Sequence, residues 1–150
     1  MYHSIVRRIV LELFEQVSRG NAEPLLATLA PSFEHQFAGD TALGGSRRTL
    51  AATRRWYERL YRLLPDIAFD VENILISGGP WNTLVVAEWN ETNSGTDGVR
   101  TVNHGIHAIQ LKWGRVARVF IYPDTAGLKA TLDRLVRAGN SEAAAPPICD

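Results

Sequence analysis

The stretch that decides the fold runs from Val99 to Thr125 and reads VRTVNHGIHAIQLKWGRVARVFIYPDT. It has two arms, in each of which apolar residues alternate along the chain as they do in a half-buried strand. The arms meet at Lys112-Trp113-Gly114-Arg115, which predicts an antiparallel hairpin leading directly into a final helix. One face of the first arm would hold Asn103, Gly105, His107, Ile109 and Leu111. Because this face mixes polar and apolar residues, it indicates the wall of a half-polar cavity rather than a plain core.

The remaining segments predict the elements that wrap this hairpin. Apolar periodicity, with Gly and Pro as breaks, predicts helices over residues 4–19, 22–29, 46–64 and 125–138. Alternation predicts a short strand over 32–37 and longer strands over 66–77 and 82–92, with antiparallel pairing throughout. Helices early and strands late favour an α+β layer fold in a single domain of residues 1–138. The tail, residues 139–150, is small, polar and Pro-containing, and is predicted to be disordered.

Composition narrows the functional classes. The 16 basic and 16 acidic residues balance, so net charge gives no indication of a nucleic-acid or membrane partner. The single cysteine, Cys149, supports neither an internal disulfide nor a Cys-based metal site. No apolar run approaches the roughly 20 residues of a membrane span, and the first ten residues lack signal-peptide features, so a cytoplasmic location is expected. No dinucleotide, phosphate-loop, HExxH or GxSxG motif is present, and His104 and His107 fall on opposite strand faces, so neither a metal nor an organic cofactor is expected.

Two histidines are the candidates for acid–base chemistry. His35 lies among apolar neighbours on one face of the short strand, where burial would keep the imidazole neutral and usable as a general base. The alternative is a core histidine that bonds to the backbone. His107 shares its face with Asn103 and Gly105, and Gly105 would leave open space beside the ring. The alternative there is a packed sheet with a bulge at the glycine.

Other candidate residues admit two interpretations. Glu88 and Trp89 are neighbours on one strand and therefore face opposite ways. An inward Glu88 would have a raised pKa and could act as acid or base, whereas an inward Trp89 would line an apolar pocket and leave Glu88 exposed. Asp124 could reach a pocket at the end of the sheet, but it could equally cap the last helix by accepting the N–H of Gly127. Trp56, beside the apolar stripe of the long helix, could reach the core or a cavity rim.

Several stretches together give the chain a resemblance to a known superfamily. They are HQFAGDTALGG (35–45), GGPWNTLVVAEW (78–89), the Asp-Gly of the following loop (97–98), NHGIH (103–107) and LKWGRVARVFIYPDT (111–125). Over about residues 5–136 the chain resembles the nuclear-transport-factor-two-like superfamily, with the closer likeness to its SnoaL-like and ketosteroid-isomerase-related members. The resemblance implies a cone-shaped, curved antiparallel sheet wrapped by an N-terminal pair of long helices. It also implies a homodimer that forms through the outer face of the sheet.

The functional residues of that superfamily carry over only in part. In its cyclase and epoxide-hydrolase branches, a general-base Asp lies three residues before the acid that starts the final helix. Asp124 matches that acid, but the base position holds Ile121. The epoxide-hydrolase branch places a Tyr and an Asn, two residues apart, on the short strand, where this chain has His35 and Phe37. Epoxide hydrolysis by the family mechanism is therefore not expected.

These observations predict a protein that binds a small apolar organic molecule, in one of two forms. In the first, it is an isomerase, cyclase or hydrolase in which His35 and His107 shuttle a proton. The substrate-binding residues would be Asn103, Glu88, Trp56, Trp89, Phe37, Ile121 and Asp124. In the second, it is a non-catalytic ligand-binding or dimerisation module of the same fold. The sequence identifies neither the substrate nor the reaction.

Overall fold

The computed structural model describes residues 1–150 as four α-helices, six strands and a short 3₁₀ helix. In chain order these are α1 (Tyr2–Ser18), α2 (Glu23–Thr28), β1 (Leu29–Phe37), β2 (Gly45–Arg47), α3 (Leu50–Leu63), β3 (Ala68–Gly79), β4 (Asn82–Asn93), β5 (Thr101–Lys112), β6 (Arg115–Pro123), α4 (Thr125–Arg137) and the 3₁₀ helix (Ser141–Ala144). The strands form one curved, unclosed sheet in the order β2-β1-β6-β5-β4-β3. The predicted α+β class is therefore confirmed.

The first strand enters the sheet in a direction that the sequence pattern did not predict. β1 pairs antiparallel with β2, where His35 lies opposite Arg47, but it pairs parallel with β6, where His35 lies opposite Val119. The prediction of antiparallel pairing throughout is therefore wrong at this junction. The reason is that about half of the chain separates β1 from β6, so no hairpin fixes the direction of β1.

The long helix begins later than predicted. Residues 45–47 pair with β1 as strand β2, which removes them from the helix. Thr49 is the N-cap of α3, and its hydroxyl accepts a hydrogen bond from the N–H of Ala52 at 3.2 Å.

Alternation along β4 decides which side chains face the interior. The inward residues are Thr83, Val85, Ala87, Trp89, Glu91 and Asn93, and all six are buried. Glu88 is exposed on the outer face, where its carboxylate accepts a hydrogen bond from Asn73. The inward alternative for Glu88 is therefore excluded, because Trp89 takes that side of the strand.

One apolar core fills the concave side of the sheet. It contains 28 buried hydrophobic residues and includes one face of α1 and one face of α3. The face of α1 that enters it is Val6, Val10, Phe14 and Val17, and that of α3 includes Trp56, Tyr57, Leu60 and Leu63. None of the helices combines the length and apolar character that a membrane crossing requires.

Residues 139–150 differ from the predicted disordered tail. Ser141–Ala144 form the 3₁₀ helix, within which Ala143 is buried. Two arginines of α3 hold this segment: Arg62 donates two hydrogen bonds of 2.8 Å to Glu142, and Arg59 donates to the carbonyl of Pro146. The composition of the tail does not indicate these contacts, because Arg59 and Arg62 lie 87 and 80 residues away from their partners in the sequence.

Candidate functional site

A cavity with a volume of about 150 Å³ lies between α1, α3 and the inner faces of β5 and β6. Of its 21 lining residues, all but Thr28, His107 and Gly114 are hydrophobic, and none is acidic. On the side of α1, the half-exposed Ile5 and Ile9 continue the lining towards solvent. An apolar cavity of this volume accommodates a molecule of about the size of benzene.

His107 brings a polar nitrogen to this cavity. The indole N–H of Trp89 donates a hydrogen bond of 2.8 Å to its Nδ1. Its Nε2 has no partner in the protein but retains accessible surface. The ring packs edge-on against Phe14, at 4.7 Å between centroids, and against Phe69, at 5.9 Å. Burial lowers the pKa of His107 to about 3, so the imidazole is neutral at physiological pH.

Gly105 allows Trp89 to reach His107. Trp89 and Gly105 are directly opposite each other on β4 and β5. A Cβ atom at position 105 would lie 2.7 Å from Cη2 of Trp89 and 2.3 Å from the carbonyl oxygen of Tyr122. The space that the sequence suggested for a ligand beside Gly105 is therefore occupied by the indole ring and by the backbone of β6.

His35 lies behind the cavity wall rather than in it. Its ring is fully buried and does not line the cavity. Its Nε2 is 3.2 Å from the hydroxyl of Tyr57, which does line the cavity, and its Nδ1 is sealed without a partner. Burial, then the charge of Arg47, then His107 hold the pKa of His35 well below its usual value. The two histidines thus flank β6, opposite Val119 and Ile121, but only His107 reaches the cavity directly.

Arg47 is a buried cation next to this wall. Its side chain is fully buried, and the guanidinium lies 5.1 Å from the centroid of Trp56. It donates to the carbonyls of Gly44 (3.3 Å) and Gly45 (2.7 Å), while Nε and Nη1 have no partner. Burial lowers the pKa of Arg47 to about 10, which still leaves it charged. Because the ring of Trp56 belongs to the cavity lining and Arg47 does not, the cation has no direct contact with the cavity.

Three of the predicted pocket residues lie at or next to the cavity. Ile121 and Trp56 line it, and the indole N–H of Trp56 donates to the carbonyl of Leu43 at 2.7 Å. Phe37 packs against Trp56, at 5.5 Å between centroids, but does not line the cavity.

The remaining predicted polar residues lie outside the cavity. Asn103 faces inward, but both ends of its amide bond to the backbone of Asp124: Nδ2 donates to the carbonyl at 3.0 Å and Oδ1 accepts the N–H at 2.9 Å. Asp124 itself is exposed and caps α4 by accepting the N–H of Gly127 at 3.1 Å. With Glu88 on the outer face, none of these three can touch a molecule in the cavity as the structure stands.

Sequence reasoning missed three polar groups of the interior. Tyr57 and Arg47 are not among the predicted site residues. Both fall in the segment predicted as one long helix, residues 46–64, and nothing in the pattern indicates the short strand β2. Glu91 is buried on the inner face of β4, where burial raises its pKa to about 7. Its inward position follows from period-two spacing once Trp89 is known to face inward.

Comparisons with known proteins agree with this architecture. The family model of the SnoaL-like domain matches residues 10–119. None of the curated proteins compared with the chain matches it. The chain is similar in structure to an NTF2-like protein of unknown function from Burkholderia pseudomallei, with a TM-score of 0.71, 17% identity, and coverage of 87% of this chain and 94% of that one.

Two further solved structures have informative names. A putative SnoaL-like polyketide cyclase from Jannaschia has a TM-score of 0.61 at 17% identity, covering 93% of this chain and 92% of that one. TerC, co-crystallised with polyporic acid, has a TM-score of 0.70 at 15% identity, covering 84% and 96%. At these identities the likeness concerns the fold alone. The fold is that of NTF2-like proteins. Because the family model spans most of the chain, this protein belongs to the SnoaL-like domain family.

Proposed function

We propose that the protein binds a compact, largely apolar organic molecule in the cavity between α1, α3 and the sheet. The observation that carries this proposal is the apolar lining with a neutral imidazole nitrogen left without a protein partner. Preformed apolar pockets with a few convergent polar groups are the usual form of small-molecule sites. The co-crystal of the structural neighbour TerC with polyporic acid supports the same use of this fold.

A probe of about the size of the cavity tests this proposal. Toluene should perturb the NMR signals of cavity-lining methyl groups in a saturable way, and Leu13→Trp should weaken that binding at least tenfold, because Leu13 lines the cavity from α1. Leu11→Trp is the matched control, since Leu11 is on the same helix but does not line the cavity. If toluene does not bind the wild type saturably, the proposal is wrong. It is also wrong if Leu13→Trp and Leu11→Trp weaken toluene binding equally.

Catalysis is the second candidate, with isomerisation, cyclisation or hydrolysis as reaction types. The neutral imidazole of His107 and the hydroxyl of Tyr57, which contacts His35 behind the cavity wall, favour it. No carboxylate lines the cavity to act as a base. In this candidate, His107 and Tyr57 polarise a substrate oxygen, and His35 acts on Tyr57 rather than on the substrate. A screen for turnover of small apolar carbonyl compounds by the wild type and by His107→Phe tests it. Equal turnover by both proteins would contradict it.

We further propose that two copies associate through the outer face of the sheet. This face exposes a group of large apolar side chains, which are Leu75, Leu84, Val102 and Tyr122. A charge at its centre, Ala108→Arg, should convert a dimer into a monomer in sedimentation experiments, because Ala108 lies between Val86 and Phe120 on this face. Val99→Arg is the control, since Val99 is exposed in the loop before β5. A monomeric wild type would contradict the proposal.

A further inference from the structure

We propose that Trp89 fixes His107 as a hydrogen-bond donor, so that the cavity selects neutral ligands with an acceptor oxygen and His107 does not serve as the base. This inference rests on the proposed binding function, because it specifies the chemistry of the molecule that the cavity takes. It assigns Trp89, which does not line the cavity, as a positioning residue for the cavity's partner-free imidazole nitrogen.

The tautomer of His107 follows from its partner. An indole N–H can donate a hydrogen bond but cannot accept one. The nitrogen that faces Trp89 at 2.8 Å, Nδ1, must therefore present a lone pair. In a neutral imidazole the single proton is then on Nε2, and the N–H points away from Trp89. The opposite tautomer would set two N–H groups against each other inside an apolar interior, at the cost of an unsatisfied buried donor.

Packing prevents the ring from escaping this arrangement. Phe14 and Phe69 contact the imidazole edge-on, and the backbone of His107 is paired on both sides, with Ala87 on β4 and Ile121 on β6. Turning the ring by 180° would place a carbon atom opposite the indole N–H and leave Trp89 without an acceptor. Protonation to imidazolium would also break this bond, since both nitrogens would then be donors.

The fixed N–H limits what the cavity can bind well. A ketone, aldehyde, ester or ether oxygen can accept from Nε2, whereas a group that only donates would leave two donors facing each other. A carboxylate could accept too, but it would have to leave water for an apolar lining that contains no cation, because Arg47 stays behind Trp56. The preferred ligand is therefore a neutral apolar molecule with one acceptor oxygen.

The first experiment reads the tautomer without any ligand. Long-range ¹H–¹⁵N correlation spectra of the full chain should show His107 as the neutral Nε2–H form at pH 7. In Trp89→Phe, which keeps an aromatic ring but removes the donor, the spectrum should move towards a mixture of both tautomers. Trp81→Phe, at an exposed tryptophan, should leave it unchanged. A neutral Nδ1–H form in the wild type, or an identical spectrum in Trp89→Phe, would overturn the proposal.

The second experiment measures selectivity with two probes of nearly equal shape, acetophenone and α-methylstyrene, which differ by C=O in place of C=CH₂. The wild type should bind acetophenone about tenfold more tightly, the usual effect of one partly buried hydrogen bond. His107→Phe should abolish this ratio while α-methylstyrene still binds, and Trp89→Phe should reduce it. Equal binding of both probes by the wild type, or an unchanged ratio in His107→Phe, would overturn the proposal. If neither probe binds any variant, the proposed binding function fails, and the tautomer spectrum still decides the state of His107.

Discussion

The inner face of the sheet has two ends that use their polar side chains differently. At the end near α4, Asn93 donates to Glu91, and Asn103 spends both ends of its amide on the backbone of Asp124. At the cavity end, His107 has one nitrogen bonded and one free. Both ends satisfy the same sequence pattern of a polar residue among apolar neighbours. What separates a structural polar group from a ligand-facing one at these two ends is therefore an unused hydrogen-bonding atom on a residue that lines the cavity, and not the residue type.

The largest expected effect at the α4 end is the pH dependence caused by Glu91. Burial raises its pKa from the usual 4.5 to about 7 in the folded protein. Between these two values the folded state binds more protons than the unfolded state, so its stability falls as pH rises. Above pH 7 the ionised carboxylate should cost about 3 kcal/mol of unfolding free energy relative to pH 4.5.

Glu91→Gln isolates this contribution from that of the other acids. Denaturant unfolding of the variant and the wild type should give a difference in stability that grows in favour of the variant from pH 4.5 to pH 7 and then stays constant. The expected sign is a relative gain for Gln at high pH. Glu88→Gln, at an exposed carboxylate on the same strand, is the control for the loss of a charge. A flat difference for Glu91→Gln would mean that this carboxylate is solvated.

Gly105→Ala should disturb the inner face between the two ends, where Trp89 lies over Gly105 and bonds to His107. Its new Cβ would approach the carbonyl oxygen of Tyr122 at 2.3 Å and the indole of Trp89 at 2.7 Å, and backbone atoms cannot move aside cheaply. Such overpacking should destabilise the protein by about 2–3 kcal/mol in chemical denaturation. It should also displace Trp89 and so change the ring spectrum of His107. Gly98→Ala is the comparison, because nothing lies within 4 Å of that position and its φ of +76° makes the substitution cost backbone strain without a clash. It should leave the ring spectrum of His107 unchanged.

The sequence predicted the fold class and the inner-face position of His107 better than it predicted strand direction and hydrogen-bond partners. Alternation along β5 placed His107 on the inner face, and the helix and strand order predicted the fold class. It could not show that β1 runs parallel to β6, which is a long-range pairing without a local signal. Nor could it show that Asn103 has no unused atoms, because its partner Asp124 is 21 residues away and only the fold brings them together. Free hydrogen-bonding capacity depends on tertiary contacts, and residue spacing does not encode it.

Asn103→Ala tests whether the α4 end is structural. The substitution leaves the carbonyl of Asp124 without its amide donor and opens a small space on the inner face. We expect a loss of about 2 kcal/mol of unfolding free energy, with unchanged binding of a cavity probe such as toluene. Asn90→Ala is the comparison on the outer face of the neighbouring strand, where loss of the exposed hydrogen bonds with Glu72 and His104 should cost about 1 kcal/mol or less. Loss of probe binding at unchanged stability would instead return Asn103 to the ligand site.

The smallest expected effect concerns Asp124, which the resemblance matches to the acid at the start of the final helix and which the structure places at the N-terminus of α4. If its role is the N-cap of α4, Asp124→Ala should cost about 1 kcal/mol of stability, because the N–H of Gly127 loses its acceptor. Asp124→Asn should retain most of that stability, since asparagine caps helices as well as aspartate does. A catalytic acid would behave differently, because the amide cannot donate or accept a proton in its place. If Asp124→Asn retains stability but loses turnover, Asp124 takes part in a reaction. If Asp124→Asn retains both stability and turnover, Asp124 serves as the cap between the sheet and its last helix.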